Sequence, residues 1–386
     1  MGESFPMKSG DDSHSYSKNS LYQKLASDTV KEMIQESVIK YLDTDKVTSS
    51  MGSTTIALAD FGCSIGPNTF LAVQNLIQPL QTKNLEFQVF FNDHFSNDFN
   101  TLLTSLPPER PYHAAAVGGS FYGRLFPRNS LTIAYSSQSL HWLSKPPQGV
   151  NNEAGIHGSG APEPVARAYS AQFEADLGCF LDARAEEIVS GGLMFLVMPA
   201  TPDGLTQTEL SALFDFYGYS LMDLADKVLC SLKLQTFYFR KHILFKNRNY
   251  FHFDPLLKIK KFYFRKHLFS LNVQGVVEKS RIEEFNLPIH IPRLGEMREV
   301  IEKNGCFRIE RMELTNPKSK VAGPLDAANV VTHMRSAMEG VFAAHFGASV
   351  ADQMFDNVVP MTPRIADCFK ALHHISNQLF VVLTRK

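Results

Sequence analysis

Two acids, each at the end of an apolar run, offer the first chemistry in this sequence. Asp60 ends the run 56–59 and leads into the turn 62–66, which begins and ends with glycine. Asp93 follows a second, largely apolar run at 86–91. An acid at the carboxyl end of a strand can accept hydrogen bonds from a cationic or hydroxylated ligand, and Asp93 lies where a doubly wound fold places the acid that holds a ribose. The alternatives are a purely structural turn at 62–66 and a helix cap at Asp93.

A third stretch with polar side chains follows the apolar run 131–136, and its sequence is Ser137-Gln138-Ser139-Leu140-His141-Trp142. Trp142, the one tryptophan of the chain, therefore lies just past the carboxyl end of a predicted strand. Open α/β sheets bind their ligands at that edge. Packing in the core is the alternative for Trp142, and a structural role is the alternative for His141.

The elements that must position these residues alternate between strands and helices. The stretch 54–80 reads as a buried strand, a glycine turn and a helix, which form the first unit of a doubly wound sheet. Further strands are predicted at 86–91, 131–136, 193–198, 307–312 and 378–384. This alternation predicts an α/β fold, Rossmann-like, with a doubly wound and mostly parallel sheet.

The predicted helices fall into two groups. One group alternates with the strands and includes a long helix that begins at Pro164 and ends at Gly191-Gly192. The other group, at 210–224 and beyond Gly295, does not fit the alternation. We expect these helices to form a cap over the carboxyl edge of the sheet.

Composition narrows the class of protein. The chain has 386 residues, of which 44% are hydrophobic and 20% are charged, as is ordinary for a globular protein. Its five cysteines include no Cys-x-x-Cys pair, so the sequence indicates neither a disulfide framework nor a zinc site. It has no apolar run of the roughly 18 residues that a membrane helix needs, and we expect a cytoplasmic location.

The block 228–274 differs from the rest of the chain. It carries ten Lys or Arg and one acid, Asp254, and it contains the six residues from Phe237 to His242 again at 262–267. Basic residues between aromatics could indicate contact with nucleic acid or membrane. A translated retained intron is the alternative that we favour. The block begins with Val228, whose codon starts with GT, and ends with Gln274, whose codon can be CAG, and these are the borders of a spliced intron. The 47 residues keep the reading frame. Transcripts that join Lys227 directly to Gly275 would support it.

Several motifs, in order, resemble the plant SABATH methyltransferases, and most closely their loganic-acid methyltransferase-like branch. The matching stretches are Met7-Lys8-Ser9-Gly10 with Ser15-Tyr16-Ser17, Ala59-Asp60-Phe61-Gly62-Cys63-Ser64, Phe91-Asn92-Asp93 with Asn97-Asp98-Phe99-Asn100, residues 119–127, Ser139-Leu140-His141-Trp142-Leu143-Ser144, and Phe285-Asn286-Leu287-Pro288. The resemblance covers nearly the whole chain except 228–274. It implies methyl transfer from S-adenosylmethionine to a small carboxylic acid or to a xanthine nitrogen.

The resemblance also implies a domain plan and a cofactor site. It implies that residues 1–18 cover the substrate and cofactor, that 19–205 form the Rossmann-like core, that 206–350 form the helical cap with the block 228–274, and that 351–386 supply the C-terminal helix and the last core strand. The residues expected to line the S-adenosylmethionine site are Tyr16, Asp60, Gly62, Cys63, Asn68, Asp93, His94, Ser120, Phe121 and Ser137. The ring of His94 could stack on the adenine.

By the same resemblance, Gln23 and Trp142 would hydrogen-bond the substrate carboxylate, and Gln138 and His141 would shape the substrate pocket. Some family members hold magnesium, and the corresponding residues here would be Asn152, Glu283, Phe285 and Asn286. The expected partner is a small-molecule carboxylic acid, with neither nucleic acid nor membrane, and a homodimer is one candidate assembly.

These residue types suit the chemistry. A carboxylic acid has a pKa of about 4, so it is ionised at neutral pH and needs no general base. A side-chain amide and an indole N–H are neutral donors that orient a carboxylate without the tight ion pair of an arginine. Three alternatives remain: N-methylation of a xanthine-like ring, a cofactor-binding remnant impaired by the block 228–274, and a nicotinamide oxidoreductase. The last is disfavoured because the first turn lacks the three-glycine fingerprint.

Overall fold

The computed structural model describes residues 21–152, 155–226, 277–320 and 326–386. Within them a seven-stranded sheet has the order β3-β2-β1-β4-β5-β7-β6. The strands are β1 (Thr55–Phe61), β2 (Glu86–Asp93), β3 (His113–Gly118), β4 (Leu131–Ser137), β5 (Ile188–Pro199), β6 (Phe307–Thr315) and β7 (Gln378–Arg385). Only β7 runs antiparallel to its neighbours β5 and β6, so the predicted α/β class with a mostly parallel sheet is confirmed.

Eleven α-helices lie in the described ranges. They are α1 (Leu21–Tyr41), α2 (Thr44–Met51), α3 (Pro67–Ile77), α4 (Phe99–Thr104), α5 (Glu163–Glu187), α6 (Glu209–Asp226), α7 (Lys279–Glu284), α8 (Leu294–Asn304), α9 (Ala327–Phe346), α10 (Ala348–Val358) and α11 (Thr362–Leu372). None that the structure describes combines the length and apolarity needed to cross a membrane.

The first strand, turn and helix form as the sequence predicts. Six of the seven residues of β1 are buried, and alternate side chains enter two apolar clusters, with Ile56 and Leu58 in one and Ala57 and Ala59 in the other. α3 begins with Pro67 in its first turn, where the missing N–H of proline costs no helical hydrogen bond.

A separate apolar cluster builds the cap from α6, α9, α10 and α11. Tyr217 of α6 meets the rings of Phe342 on α9 and Phe355 on α10, at centroid distances of 6.0 and 5.4 Å. The loop after α7 joins the cap to the sheet, because the Leu143 amide donates to the Pro288 carbonyl at 2.8 Å. The cap therefore meets the chain just beyond the carboxyl end of β4.

Several boundaries differ from the prediction. The long helix ends at Glu187, and Gly191 and Gly192 lie inside β5 rather than at the end of the helix. A Cβ on Gly192 would lie 2.8 Å from the Thr132 carbonyl oxygen, so close packing against β4 explains this glycine. The sequence does not predict β3, because its three consecutive alanines leave Val117 as the one β-branched residue and the strand has no Phe, Tyr or Trp.

The predicted domain limits stay a prediction. The packing nevertheless groups three elements, β6, α10 and α11, differently from the ranges predicted for the cap and the C-terminal part. β6 lies within 206–350, the range predicted for the cap, yet it pairs with β7 in the sheet. α10 and α11 belong mostly or wholly to the final range, 351–386, yet they pack into the apolar cluster of the cap. The block 228–274 lies outside the described residues.

Candidate active site

The glycine turn after β1 is fixed to the end of β2. The amides of Gly62 and Cys63 both donate to the Asn92 carbonyl, at 2.9 and 3.0 Å. Gly62 has a φ of 84°, and a Cβ added there would lie 2.1 Å from the Ser139 Oγ. Only glycine fits this position, so the turn keeps an open backbone surface toward the edge of the sheet.

Asp93 continues this arrangement at the end of β2. Its carboxylate accepts hydrogen bonds from the backbone amides of Ser64 at 2.7 Å and His94 at 2.8 Å. Its own carbonyl accepts the Gly119 amide at 2.8 Å, which ties the loop after β3 to the same place. Burial raises the pKa of Asp93, although these amide donors oppose the shift.

Asp60 is the second acid of the site and is almost completely buried. The Thr69 hydroxyl on α3 donates to its carboxylate. Burial raises the pKa of Asp60 to about 7 despite that hydrogen bond, and the negative charge of Asp93 adds to the shift. Two acids whose ionised forms are disfavoured make a region that would be stabilised by a cationic or hydroxyl-bearing ligand.

Cys63 and Ser64 complete the turn between the two acids. Burial and both carboxylates raise the pKa of the Cys63 thiol, so it stays protonated and unreactive at neutral pH. The Ser64 hydroxyl is buried and meets no hydrogen-bond partner among the described residues. A bound polar ligand could satisfy this hydroxyl, because it lies beside the two acids of the turn.

A buried ion pair, which sequence analysis missed, shapes the loop after β3. The Arg184 guanidinium lies 2.6 Å from Glu187, and both side chains are fully buried. It also donates to the carbonyls of Phe121 at 2.8 Å and Gly123 at 2.9 Å, while the Glu187 carboxylate accepts the Phe126 amide at 2.9 Å. The pair thereby holds Phe121, whose ring centroid lies 6.5 Å from that of His94.

Ser137 and Gln138 lie at the end of β4, where the backbone turns sharply. Gln138 has a φ of 55° and donates its backbone amide to the Val197 carbonyl at 2.7 Å. Its side-chain amide lies 3.2 Å from the buried Gln378 of β7. Gln378 in turn donates to the Ala26 carbonyl of α1 at 3.1 Å, so Gln138 is tied to the first helix through one side chain.

His141 and Trp142 lie directly under the cap. The His290 amide donates to the His141 carbonyl at 2.9 Å, and Trp142 pairs with Ile289 in an isolated β-bridge. Tyr122 donates its hydroxyl to the Trp142 carbonyl. Burial lowers the pKa of His141 to about 3, so its imidazole is neutral at physiological pH and acts only through hydrogen bonds.

Gln23 reaches the cap from the first turn of α1. Its side-chain nitrogen lies 2.8 Å from the Nε2 of His333 on α9. Leu25, two residues further along α1, packs against the same apolar cluster of the cap as Trp142. Gln23 and Trp142, the two predicted carboxylate donors, therefore both lie next to the cap.

The other predicted cofactor residues occupy the same edge or lie outside the described chain. Asn68 is in the first turn of α3, Ser120 follows β3 and is exposed, and Ser137 ends β4. Tyr16 lies outside the described residues. The roles of all these residues stay predictions.

The predicted metal residues come together in part. The Asn152 amide donates to the Glu283 carbonyl at 3.1 Å, and the buried Asn152 Oδ1 has no hydrogen-bond partner in the described ranges. The Glu283 carboxylate, however, lies 3.0 Å from the Lys279 ammonium, and Asn286 Oδ1 accepts from Tyr169. Phe285 packs its ring against Phe342 of the cap. Two of the candidate oxygen ligands are thus engaged with protein partners, and the magnesium site stays a prediction.

The sheet order and the acids after β1 and β2 are those of a Rossmann-like fold, in which ligands bind at the carboxyl edge of the sheet. A family model described as SAM dependent carboxyl methyltransferase matches residues 2–243 and 258–386. The chain therefore belongs to this family, the plant SABATH methyltransferases.

Individual relatives agree over the full length. A loganic acid O-methyltransferase from Catharanthus roseus is 36% identical over 401 residues, covering 100% of this chain and 95% of the relative. A farnesoic acid carboxyl-O-methyltransferase from Arabidopsis thaliana is 33% identical, with 97% and 98% covered. The solved structure of a loganic acid methyltransferase with SAH superposes with a TM-score of 0.82 at 36% identity and covers 99% of both chains.

Proposed function

We propose that this S-adenosylmethionine-dependent enzyme converts the carboxylate of a small plant acid, of the iridoid, hormone or aromatic type, to its methyl ester. The observation that supports the proposal is the arrangement at the carboxyl edge of the sheet. Two acids suited to the cofactor end β1 and β2, and a loop with neutral donors follows the adjacent β4 beneath an apolar cap.

The cofactor side of the reaction falls to Asp60, Asp93 and the turn between them. When bound, S-adenosylmethionine supplies a methyl group on a positively charged sulfur, which leaves as the neutral thioether. Asp93 keeps lone pairs for two ribose hydroxyls beyond the two amides that it already accepts. Asp60, whose ionised form is disfavoured by burial, would gain from the positive charge of the ligand.

The substrate side needs orientation rather than proton transfer. A carboxylate is ionised at neutral pH, so one of its oxygens can attack the methyl carbon directly while the carbon–sulfur bond breaks. We assign Gln23 and Trp142 as the donors that orient it. His141 is neutral as well, because its pKa is about 3, so these three residues bring no positive charge that would weaken the nucleophile. The cap would exclude water from the reacting atoms.

N-methylation of a xanthine-like ring is the second candidate. The neutral His141 supports it, because its Nδ1 is buried without a hydrogen-bond partner among the described residues. With Gln138, it could bind the carbonyl groups of such a ring. The product decides between the two reactions, since an ester methyl is released by mild base and an N-methyl is not.

A panel assay with methyl-labelled S-adenosylmethionine tests the proposal. The panel contains loganic acid, farnesoic acid, indole-3-acetic acid and xanthine. We expect base-labile label in the product of at least one acid and none from xanthine. Label that is stable to base and formed only from xanthine would contradict the proposal and support the second candidate.

A cytoplasmic location and a homodimer remain predictions. Light scattering of the purified protein tests the second, with a mass near twice 43.3 kDa as the expected result.

A further inference from the structure

Among the described residues, the side chain of Gln23 makes one hydrogen bond, and its partner is a cap residue far along the chain. Gln23 Nε2 and His333 Nε2 lie 2.8 Å apart, across 310 positions of sequence. His333 is buried on α9, and the apolar residues of the same helix, such as Met338 and Phe342, belong to the apolar cluster of the cap. The contact therefore joins the first helix to the cap beside the proposed substrate pocket.

The direction of this hydrogen bond decides what Gln23 offers to a substrate. A side-chain amide has two N–H donors on one end and a carbonyl acceptor on the other, and either end can meet a histidine nitrogen, depending on where the imidazole carries its proton. With the amide nitrogen toward His333, the Gln23 carbonyl oxygen is buried and has no hydrogen-bond partner among the described residues. Turning the amide over removes that unsatisfied acceptor.

A carboxylate substrate favours the turned orientation, because a carboxylate only accepts hydrogen bonds and would be repelled by the Gln23 carbonyl. We infer that His333 is a positioning residue for ester formation: its Nε2–H donates to the Gln23 carbonyl, and the Gln23 amide nitrogen is thereby presented to the substrate carboxylate. The inference rests on the proposed function, in which Gln23 binds that carboxylate.

The same geometry bears on the choice of substrate. A substrate that presents an N–H or a hydroxyl toward Gln23 would need the amide in the opposite orientation and the His333 proton on the other ring nitrogen. His333 as an Nε2–H donor therefore favours an anionic oxygen at this position over a donor group.

Four variants test the inference: His333→Leu, His333→Gln, Gln23→Ala and the double variant Gln23→Ala with His333→Leu. His333→Leu removes the donor, and we expect KM for the acid that the wild type esterifies best to rise about tenfold. His333→Gln restores an N–H donor and should stay within about threefold of the wild type. In the Gln23→Ala background, His333→Leu should add less than about a twofold change, because its effect passes through Gln23.

S-adenosylhomocysteine affinity, measured by calorimetry, should be unchanged in all four variants, which excludes a general loss of structure. If His333→Leu does not fold, His333→Met takes its place. The inference is overturned by an unchanged KM in His333→Leu, by an equal loss in His333→Gln, or by effects that multiply in the double variant. The proposed function fails separately, if the wild type esterifies no acid. If the wild type esterifies an acid but Gln23→Ala leaves KM unchanged, ester formation stands, and the assignment of Gln23 and the inference about His333 are overturned together.

Discussion

Cofactor affinity should depend on pH through Asp60. Burial raises the pKa of its carboxyl to about 7 in the ligand-free protein, from an ordinary value of 3.8, so it is largely protonated at pH 6 and largely ionised at pH 8. If the cofactor requires the ionised form, its dissociation constant should rise about tenfold per pH unit below 7 and level off above it. Lower pH therefore weakens binding.

The raised pKa of Asp60 also predicts how the stability of the ligand-free protein changes with pH. A pKa raised by about three units corresponds to about 4 kcal/mol, which favours the protonated folded form. This contribution is complete below about pH 4 and is lost as the pH rises through 7. Asp60→Asn, which is neutral at every pH, should therefore stabilise the ligand-free protein at pH 8, by up to about 4 kcal/mol, and change little at pH 4.

Calorimetric titration with S-adenosylhomocysteine between pH 5.5 and 8.5 measures the first effect, and urea unfolding of wild type and Asp60→Asn measures the second. Asp60→Asn should bind weakly, with little pH dependence. Asp98→Asn is the matched control, because Asp98 is a helix cap whose pKa is lowered by Thr101 and which stays ionised over this range. A dissociation constant that stays within twofold from pH 5.5 to 8.5 in the wild type would refute the reasoning.

Three further predictions concern the support of the site. Arg184→Met leaves Glu187 buried and unpaired and should lower the free energy of unfolding by about 3–5 kcal/mol; a loss below 1 kcal/mol in urea unfolding would show that the pair is not needed. Gly62→Ala places a methyl group 2.1 Å from the Ser139 hydroxyl and should weaken S-adenosylhomocysteine binding at least tenfold, whereas wild-type affinity by calorimetry would argue against the tight turn. His141→Asn should leave the pH–rate profile between pH 6 and 8 unchanged, because the wild-type imidazole has a pKa of about 3; loss of an inflection near 6.5 would contradict that pKa.

The sequence predicts best what depends on neighbouring residues. The run of apolar residues before Asp60 and the glycines after it specify a strand and a turn, and the structure confirms both, together with the strand that ends at Asp93. That this edge binds a ligand stays a prediction. The motifs that are spread along the chain also predict the family to which it belongs. The sequence does not predict strand β3, because alanine does not favour strands over helices. The position of β3 follows from its pairing with β2.

What the sequence does not reveal are contacts between distant residues. Arg184 and Glu187 are three positions apart on a helix, a spacing typical of solvated ion pairs, yet the fold buries both and uses them to hold the loop that carries Phe121. His333 has no motif around it that points to Gln23, because the contact exists only once the cap packs on α1. Such partners follow from tertiary packing alone.

We propose that two neutral donors at the edge of the sheet, Gln23 and Trp142, orient the substrate carboxylate toward the methyl group. The most direct measurement is kcat/KM for the best acid substrate in wild type, Gln23→Ala and Trp142→Phe, together with S-adenosylhomocysteine affinity for each. We expect a loss of about tenfold or more in kcat/KM for both variants, with unchanged cofactor affinity. Wild-type kcat/KM in either variant would contradict it.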